Sequence, residues 1–190
     1  MKKKQLRKLY MEKRMAMSQT EVNFLSEKIF NNFLSEFEVS ENQKVHIFLS
    51  IAKFREINTF YFIRYFRERN VNLYVPKIYN DDMISLEFSL GTPMEVSDWG
   101  IAEPKGHEDI GIKDYDIIIT PLLYCDENGN RVGFGKGYYD SFFKTLNPEC
   151  LKIGVSFFEP NETIDDVSER DVQLDYLVTP ERILSFGGTL

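Results

Sequence analysis

Several things that would announce a function are scarce in this chain. It has two cysteines, Cys125 and Cys150, with no C-x-x-C pair, and two histidines, His46 and His107, far apart in sequence. Zinc sites and disulfide scaffolds gather such residues at short, regular spacings, so neither is expected, and a reduced cytoplasmic protein is the default. No apolar run approaches the ~20 residues needed to cross a bilayer. The basic N-terminus MKKKQLRKLYMEKR lacks the apolar stretch of a secretion signal, so the sequence points to neither membrane nor export. Basic charge is in deficit: 23 Lys and Arg stand against 30 Asp and Glu, a formal net charge of −7. That balance argues against a general binder of nucleic acid or acidic membranes, while leaving room for a local basic patch that serves one anionic ligand. Repeats, low-complexity tracts and Pro/Gly-rich linkers are also missing, so no boundary is drawn and residues 1–190 are expected to form one domain.

What is present is core material. Apolar residues make up 43% of the 190, with 16 Phe and 10 Tyr, enough to bury a real core and far from the composition of disordered chains. Residues 3–16 read as a basic helix. SQTE at 18–21 is a capping box that starts a second helix, with Val22, Leu25, Ile29, Phe33 and Phe37 forming one apolar stripe. VHIFLSI (45–51) reads as a buried strand, residues 57–70 as a helix through Ile57, Phe60, Ile63 and Phe66, and NLYVPKI as the strand completing a strand–helix–strand unit. SLEFSL reads as a short strand, DYDIIITPLLYC (114–125) as one long central strand, YYDSFFKTL as a helix and LKIGVSFF as a further strand. The alternation predicts an α/β fold.

ENGNRVGFGKGYYD (127–140) follows the most strand-like segment, the place where ligands bind in open α/β sheets. Gly133, Gly135 and Gly137 alternate, removing Cβ atoms so that backbone N–H groups can approach an anion. The YYDSFF helix would add its own free N–H groups. The stretch is neither G-x-x-x-x-G-K-[ST], since Asn130 and Gly137 occupy the deciding positions, nor G-x-G-x-x-G. It leaves a glycine loop with Arg131 and Lys136 as cations for a polyphosphate and Asp140 as a candidate Mg²⁺ ligand. The alternative is a tight connection rich in turn residues, DENGN above all.

NRVGFGKGYYD resembles the signature of the 5-formyltetrahydrofolate cyclo-ligase (methenyltetrahydrofolate synthetase) family. KKQLRKLYMEKRMAMS is similar to that family's N-terminal helix, FREINT to its folate loop, WGIAEP to its middle segment and RDVQLDYLVTPE to its C-terminal stretch. The resemblance implies a single-domain, largely parallel sheet with helices on both faces, in the broad group of sugar-phosphate isomerase and CoA-transferase domains. It implies ATP-driven conversion of 5-formyltetrahydrofolate to 5,10-methenyltetrahydrofolate, ADP and phosphate, with Mg²⁺, by a cytoplasmic monomer. The formamide oxygen attacks the γ-phosphate, and N10 then closes on the phosphorylated imidate with loss of phosphate.

By the same resemblance Lys3, Arg7, Arg131, Gly133, Gly135, Lys136, Gly137, Tyr138 and Tyr139 bind ATP, and Lys136 and Arg131 carry the catalytic charge. Ile51, Glu56, Trp99, Glu103, Phe134 and Tyr138 form the folate side, with Glu56 accepting from pterin N–H groups. Asp140 and Asp171 hold the metal, and Asp175 is as fit to orient a turn. Arg170, Phe134 and Ser141 depart from the commonest pattern: His is frequent at the first position and Arg at the third, and Phe134 is apolar between the glycines. A nucleotide-binding module without turnover, or a phosphosugar isomerase needing no ATP, are the rival readings.

Overall fold

The computed structural model describes residues 1–97 and 102–187. Trp99 therefore lies outside the described residues. Among them, the chain forms a seven-stranded sheet and two small ribbons.

Helix α1 (Lys3–Met15) leads into α2 (Gln19–Glu36), whose start is the expected capping box: the Ser18 hydroxyl accepts from the Glu21 N–H at 3.2 Å and the Glu21 carboxylate accepts from the Ser18 N–H at 2.7 Å. Strand β1 (Lys44–Ile47), helix α3 (Phe60–Arg67) and strand β2 (Asn72–Tyr79) are the expected unit, with β1 and β2 parallel. β3 (Asp82–Glu87) returns antiparallel to β2, and β4 (Met94–Val96) pairs with β5 (Ala102–Pro104) as a separate ribbon. β6 (Ile117–Pro121) re-enters the sheet on the other side of β1, followed by the ribbon of β7 (Tyr124–Cys125) and β8 (Arg131–Val132). Helix α4 (Tyr138–Phe143), β9 (Leu151–Val155), β10 (Tyr176–Val178) and the antiparallel β11 (Ile183–Ser185) complete the order β11-β10-β9-β6-β1-β2-β3. From β1 the chain winds first one way and later the other, so the loops leaving the carboxyl ends of β1 and β6 diverge and open a crevice.

The central strands are buried on both faces, which is why they read as unbroken apolar runs. Val45, Ile47, Ile117, Ile119, Ile153 and Val155 face α2 and α3, where Phe33, Phe62 and Phe66 are fully buried. Each such side chain contributes about 1.5–3 kcal/mol relative to exposure. Ile118 and Leu177 face the other way, toward Phe142 and Phe143 of α4. Helix α1 lays Leu6 and Tyr10 on Leu123, Tyr124 and Val132 of the β7–β8 region.

Several elements differ from expectation in their bounds: the strand expected over 85–90 is β3, the helix over 138–146 ends at Phe143 and the strand over 151–158 ends at Val155. For three others the contacts show the reason. The long strand over 114–125 is broken: its sheet pairing ends at Pro121, which has no N–H to continue the ladder, and the Leu123 N–H turns to Val132 instead. The strand expected over 45–51 stops at Ile47, because the Ser50 hydroxyl donates to the Ile57 carbonyl at 2.6 Å and accepts from the Thr59 N–H at 2.8 Å, curling the chain back. The helix expected from 57 starts at Phe60, since the Asn58 side chain accepts from the Phe60 N–H at 3.1 Å and competes with helical pairing.

His46, on β1, is fully buried among Tyr115 and Phe142, and neither ring nitrogen has a hydrogen-bond partner among the described residues. Burial depresses it to about 3. The unfolded chain then binds a proton below pH 6.5 that the folded chain refuses, so stability should fall on acidification by up to about 1.4 kcal/mol per pH unit. Between pH 6 and pH 5, above the range of ordinary carboxylates, urea denaturation should show this slope in the wild type and lose most of it in His46→Phe.

Candidate active site

A cavity of about 770 Å³ opens at the carboxyl ends of β1, β2 and β6. Leu49, Ile51 and Glu56 reach it from the loop after β1, Pro76 and Lys77 from β2, and Pro121 from β6. Lys3 and Arg7 enter from α1, Glu103 from β5, residues 133–137 from the glycine loop, Tyr138, Tyr139 and Asp140 from α4, and Asp171 from the loop before β10. All the site residues expected from the sequence line this one cavity except Trp99, which is outside the described residues.

The glycine stretch divides in two. DENGN is a turn: buried Asp126 accepts from the N–H groups of Asn128 and Asn130, each at 3.0 Å, and Gly129 adopts φ +78°. GFGKG then borders the cavity. Arg7 Nε donates to the Gly133 carbonyl at 2.8 Å, and its guanidinium lies so close that a Cβ on Gly135 would meet Arg7 Cζ at 2.9 Å. Gly135 at φ +91° and Gly137 at φ +74°, the N-cap of α4, take a backbone that side chains disfavour. Lys136 is exposed and makes no hydrogen bond or ion pair among the described residues.

Other charges are committed to one another. Lys3 Nζ is 2.5 Å from Asp171 Oδ2, which also accepts from the Ser168 N–H at 2.6 Å. Partial burial opposes the Asp171 carboxylate, but these two donors prevail and hold it below the usual range. Arg131 is buried against the Phe143 ring, donates through Nη1 to the Val172 carbonyl and through Nη2 to Asp140 Oδ1 at 2.7 Å. Asp140 Oδ1 accepts from the Val172 N–H as well, at 3.1 Å. Expected as a phosphate cation, Arg131 is here the tie between β8, α4 and the segment at Val172. Among the described residues no three His, Cys, Asp or Glu side chains gather as a metal site.

On the side of the β1 loop, Glu56 is buried, not solvated as a lone loop carboxylate usually is, and its Oε2 accepts from the Ile51 N–H at 2.8 Å. Burial raises its pKa, opposed by that N–H and by Arg14. The Tyr139 hydroxyl, shut from solvent without a hydrogen-bond partner among the described residues, is pushed up by burial and further by Glu56, with Arg131 opposing. Phe134, half exposed, packs on Phe54 of the 3₁₀ turn Ala52–Phe54 at 5.7 Å between centroids, closing the glycine loop onto the β1 loop.

A model of the 5-formyltetrahydrofolate cyclo-ligase family matches residues 1–180. The chain belongs to that family. It is 29% identical over 195 residues to the 5-formyltetrahydrofolate cyclo-ligase of Mycoplasma pneumoniae, covering 95% of this chain and all of that protein. It is likewise 29% identical over 159 residues to a probable 5-formyltetrahydrofolate cyclo-ligase of Schizosaccharomyces pombe, 75% of this chain and 77% of that one. The NMR structure of the Aquifex aeolicus 5,10-methenyltetrahydrofolate synthetase superposes with a TM-score of 0.76 at 28% identity, covering all of this chain and 95% of the other. The largely parallel α/β sheet expected for a cyclo-ligase is thus the fold observed.

Two buried cations near the cavity escape a reading of the sequence. Lys77 Nζ is buried, 2.6 Å from Glu95, 3.6 Å from Glu103 and 3.0 Å from the Pro104 carbonyl, so it fastens the β4–β5 ribbon to the sheet. Arg14 lies beneath the β1 loop. Both carried a signal: Lys77 keeps the alternation of Leu73 and Val75, and Arg14 keeps the i, i+4 phase of Leu6 and Tyr10, so each is a charge in step with a buried row.

The contrast between the two glycine-stretch cations is measurable. Arg131→Met leaves Asp140 and the Val172 carbonyl without their donor and should lower the unfolding free energy by about 2 kcal/mol. Lys136→Met, removing an unpaired exposed charge, should stay within about 0.5 kcal/mol of wild type. Urea denaturation monitored by circular dichroism reads both.

Proposed function

We propose that this protein is a 5-formyltetrahydrofolate cyclo-ligase that uses ATP to form 5,10-methenyltetrahydrofolate, ADP and phosphate. Family membership supports the reaction. The observation that carries its assignment to this site is that one cavity holds both a glycine loop flanked by α1 cations and a buried carboxylate, Glu56, beside an apolar wall. The first set suits a polyphosphate. Glu56, as an acceptor-only group, suits the N–H face of a pterin.

The formyl oxygen is a poor leaving group until it is phosphorylated. In the reaction it attacks the γ-phosphorus, the bond to the β,γ-bridging oxygen breaks and ADP departs. The N10 amine then adds to the activated carbon, loses its proton, and the carbon–oxygen bond breaks to release phosphate. This chain's part is positioning and charge neutralisation. Arg7 is held against the glycine loop, the N–H groups of Gly135, Lys136 and Gly137 border the phosphate side, and Lys136 supplies a free point charge. Arg131 orients Asp140, Ile51 and Phe134 wall the folate side, and Glu103 borders it through Lys77. Tyr138 and Tyr139 stand between the two sides.

Mg²⁺ suits the carboxylates present. Asp140 and Asp171 each commit one oxygen, leaving Asp140 Oδ2 and Asp171 Oδ1 without hydrogen bonds among the described residues. Magnesium is commonly held by one or two carboxylates plus substrate phosphates, and it would neutralise charge on the transferring group.

Purified protein should form methenyltetrahydrofolate, followed by absorbance, only when 5-formyltetrahydrofolate, ATP and Mg²⁺ are all present, and ADP should appear only with the formyl folate. Product without ATP would strike out the ligase reading. Lys136→Met should cut kcat about 100-fold to 1000-fold with the fold intact, the usual cost of one lost electrostatic donor. Lys136→Arg should recover only part. Near wild-type kcat in a folded Lys136→Met would reduce the loop to a structural turn. Glu56→Gln should raise the KM for folate more than that for ATP; the reverse pattern would remove Glu56 from the pterin side.

A further inference from the structure

Arg14 occupies the third position of the buried row Leu6, Tyr10, Arg14 on α1 and is 4% exposed. Its guanidinium is poorly served. Nη1 reaches the Leu122 carbonyl only at 3.5 Å, and Nε and Nη2 are buried with no hydrogen-bond partner among the described residues. The nearest carboxylate is Glu56, with Oε1 4.0 Å from Nη2. Bulk water does not make good the shortfall, because the gap shared by Arg14, Glu56, Phe48 and Pro121 measures about 10 Å³, room for one water molecule at most. Phe134 covers the guanidinium at 5.6 Å.

Such a pair is a poor device for stability, since burying two charges costs several kcal/mol that only excellent geometry returns. A long, underbonded contact does not provide that geometry. What it does provide is a fixed positive charge behind a buried carboxylate whose other face lines the large cavity. Ile51 pins Oε2 and Arg14 stands off Oε1, so Glu56 is oriented from two sides while Oε1 remains able to accept from a ligand.

We propose that Arg14 is a positioning residue for Glu56, keeping that carboxylate ionised and aimed at the donor face of the bound folate. The proposal rests on the cyclo-ligase reading above. The groups facing Glu56 are Arg14 from α1, the Ile51 N–H from its own loop and the Tyr139 hydroxyl from α4. Burial already pushes Glu56 upward and Arg14 is the cation opposing it. A carboxylate raised in this way loses its acceptor-only character as pH falls through its pKa, so folate binding weakens on the acid side. Removing Arg14 moves that weakening to higher pH.

The test is steady-state kinetics across a pH series on wild type, Arg14→Lys, Arg14→Met, Glu56→Gln and the double variant Arg14→Met/Glu56→Gln. Arg14→Met should raise the folate KM about tenfold or more, the worth of a hydrogen bond to a charged group, with the ATP KM near wild type. The acid limb of kcat/KM for folate should move to higher pH, and Arg14→Lys should restore part of both. In the Glu56→Gln background, Arg14→Met should add little, because the charge it served is gone. An acid limb and folate KM unmoved in Arg14→Met, or the full effect persisting on top of Glu56→Gln, would overturn the proposal. If Arg14→Met alone does not fold, the double variant, which buries no lone charge, decides against Glu56→Gln, and Arg14→Lys supplies the pH shift. Absence of turnover in the wild type would instead strike the cyclo-ligase reading itself.

Discussion

A charge withdrawn from water must find a partner, and around the cavity the partners come from different parts of the chain. Lys3 of α1 meets Asp171 before β10, Arg131 of β8 meets Asp140 of α4, Arg14 of α1 meets Glu56 after β1, and Lys77 of β2 meets Glu95 and Glu103 of the β4–β5 ribbon. None of these pairs lies within a single helix or strand. The sheet sets where its loops emerge, but α1, the ribbon and the C-terminal segment are brought to the cavity by electrostatics as much as by apolar burial. Replacing a pair with apolar residues could leave a stable protein and dissolve the site's charge pattern, because buried pairs are weak contributors to stability while fixing which groups face which.

Helix α1 illustrates how one element serves both purposes. Its apolar row, Leu6 and Tyr10, packs on the β7–β8 ribbon, with Tyr10 stacked on Tyr124 at 4.1 Å between centroids. That docking turns Lys3 toward Asp171 and Arg7 toward the glycine loop, and the bare backbone of Gly135 lets the Arg7 guanidinium approach to a distance a Cβ would not allow. Gly135 is thus explained by an arginine as much as by an anion. Both demands fall on the same backbone.

The elements with strong periodicity were legible in the sequence: the α2 capping box, the β1–α3–β2 unit and the apolar run of β6. Their ends were not, because each was set by a contact distant in sequence or by a local competitor. Pro121 cuts the central strand, Ser50 curls the loop after β1, and Asn58 delays α3. The short strands β8, β10 and β11 carry too few residues for a period to show. The residues the resemblance names, Trp99 apart, line one cavity, while contacts between distant segments are not legible in a motif: Arg131 holds Asp140, and the buried charges of Lys77 and Arg14 belong to no motif.

The pairing also constrains how a polyanion can enter. Lys3 and Arg131 already neutralise Asp171 and Asp140, so phosphate oxygens approaching them meet cations shared with carboxylates that repel phosphate. Two things relieve this. Asp140 and Asp171 could hold a divalent cation, which would neutralise charge on both sides and make metal and nucleotide binding support one another. Lys136 and Arg7, neither of them paired with a carboxylate among the described residues, supply uncompensated positive charge at the glycine loop. A site built only of free cations would bind any anion that diffused in. One whose cations are half-spent on carboxylates would instead favour an anion that arrives with its own metal, a preference set by the charge arrangement before any base or sugar contact is considered.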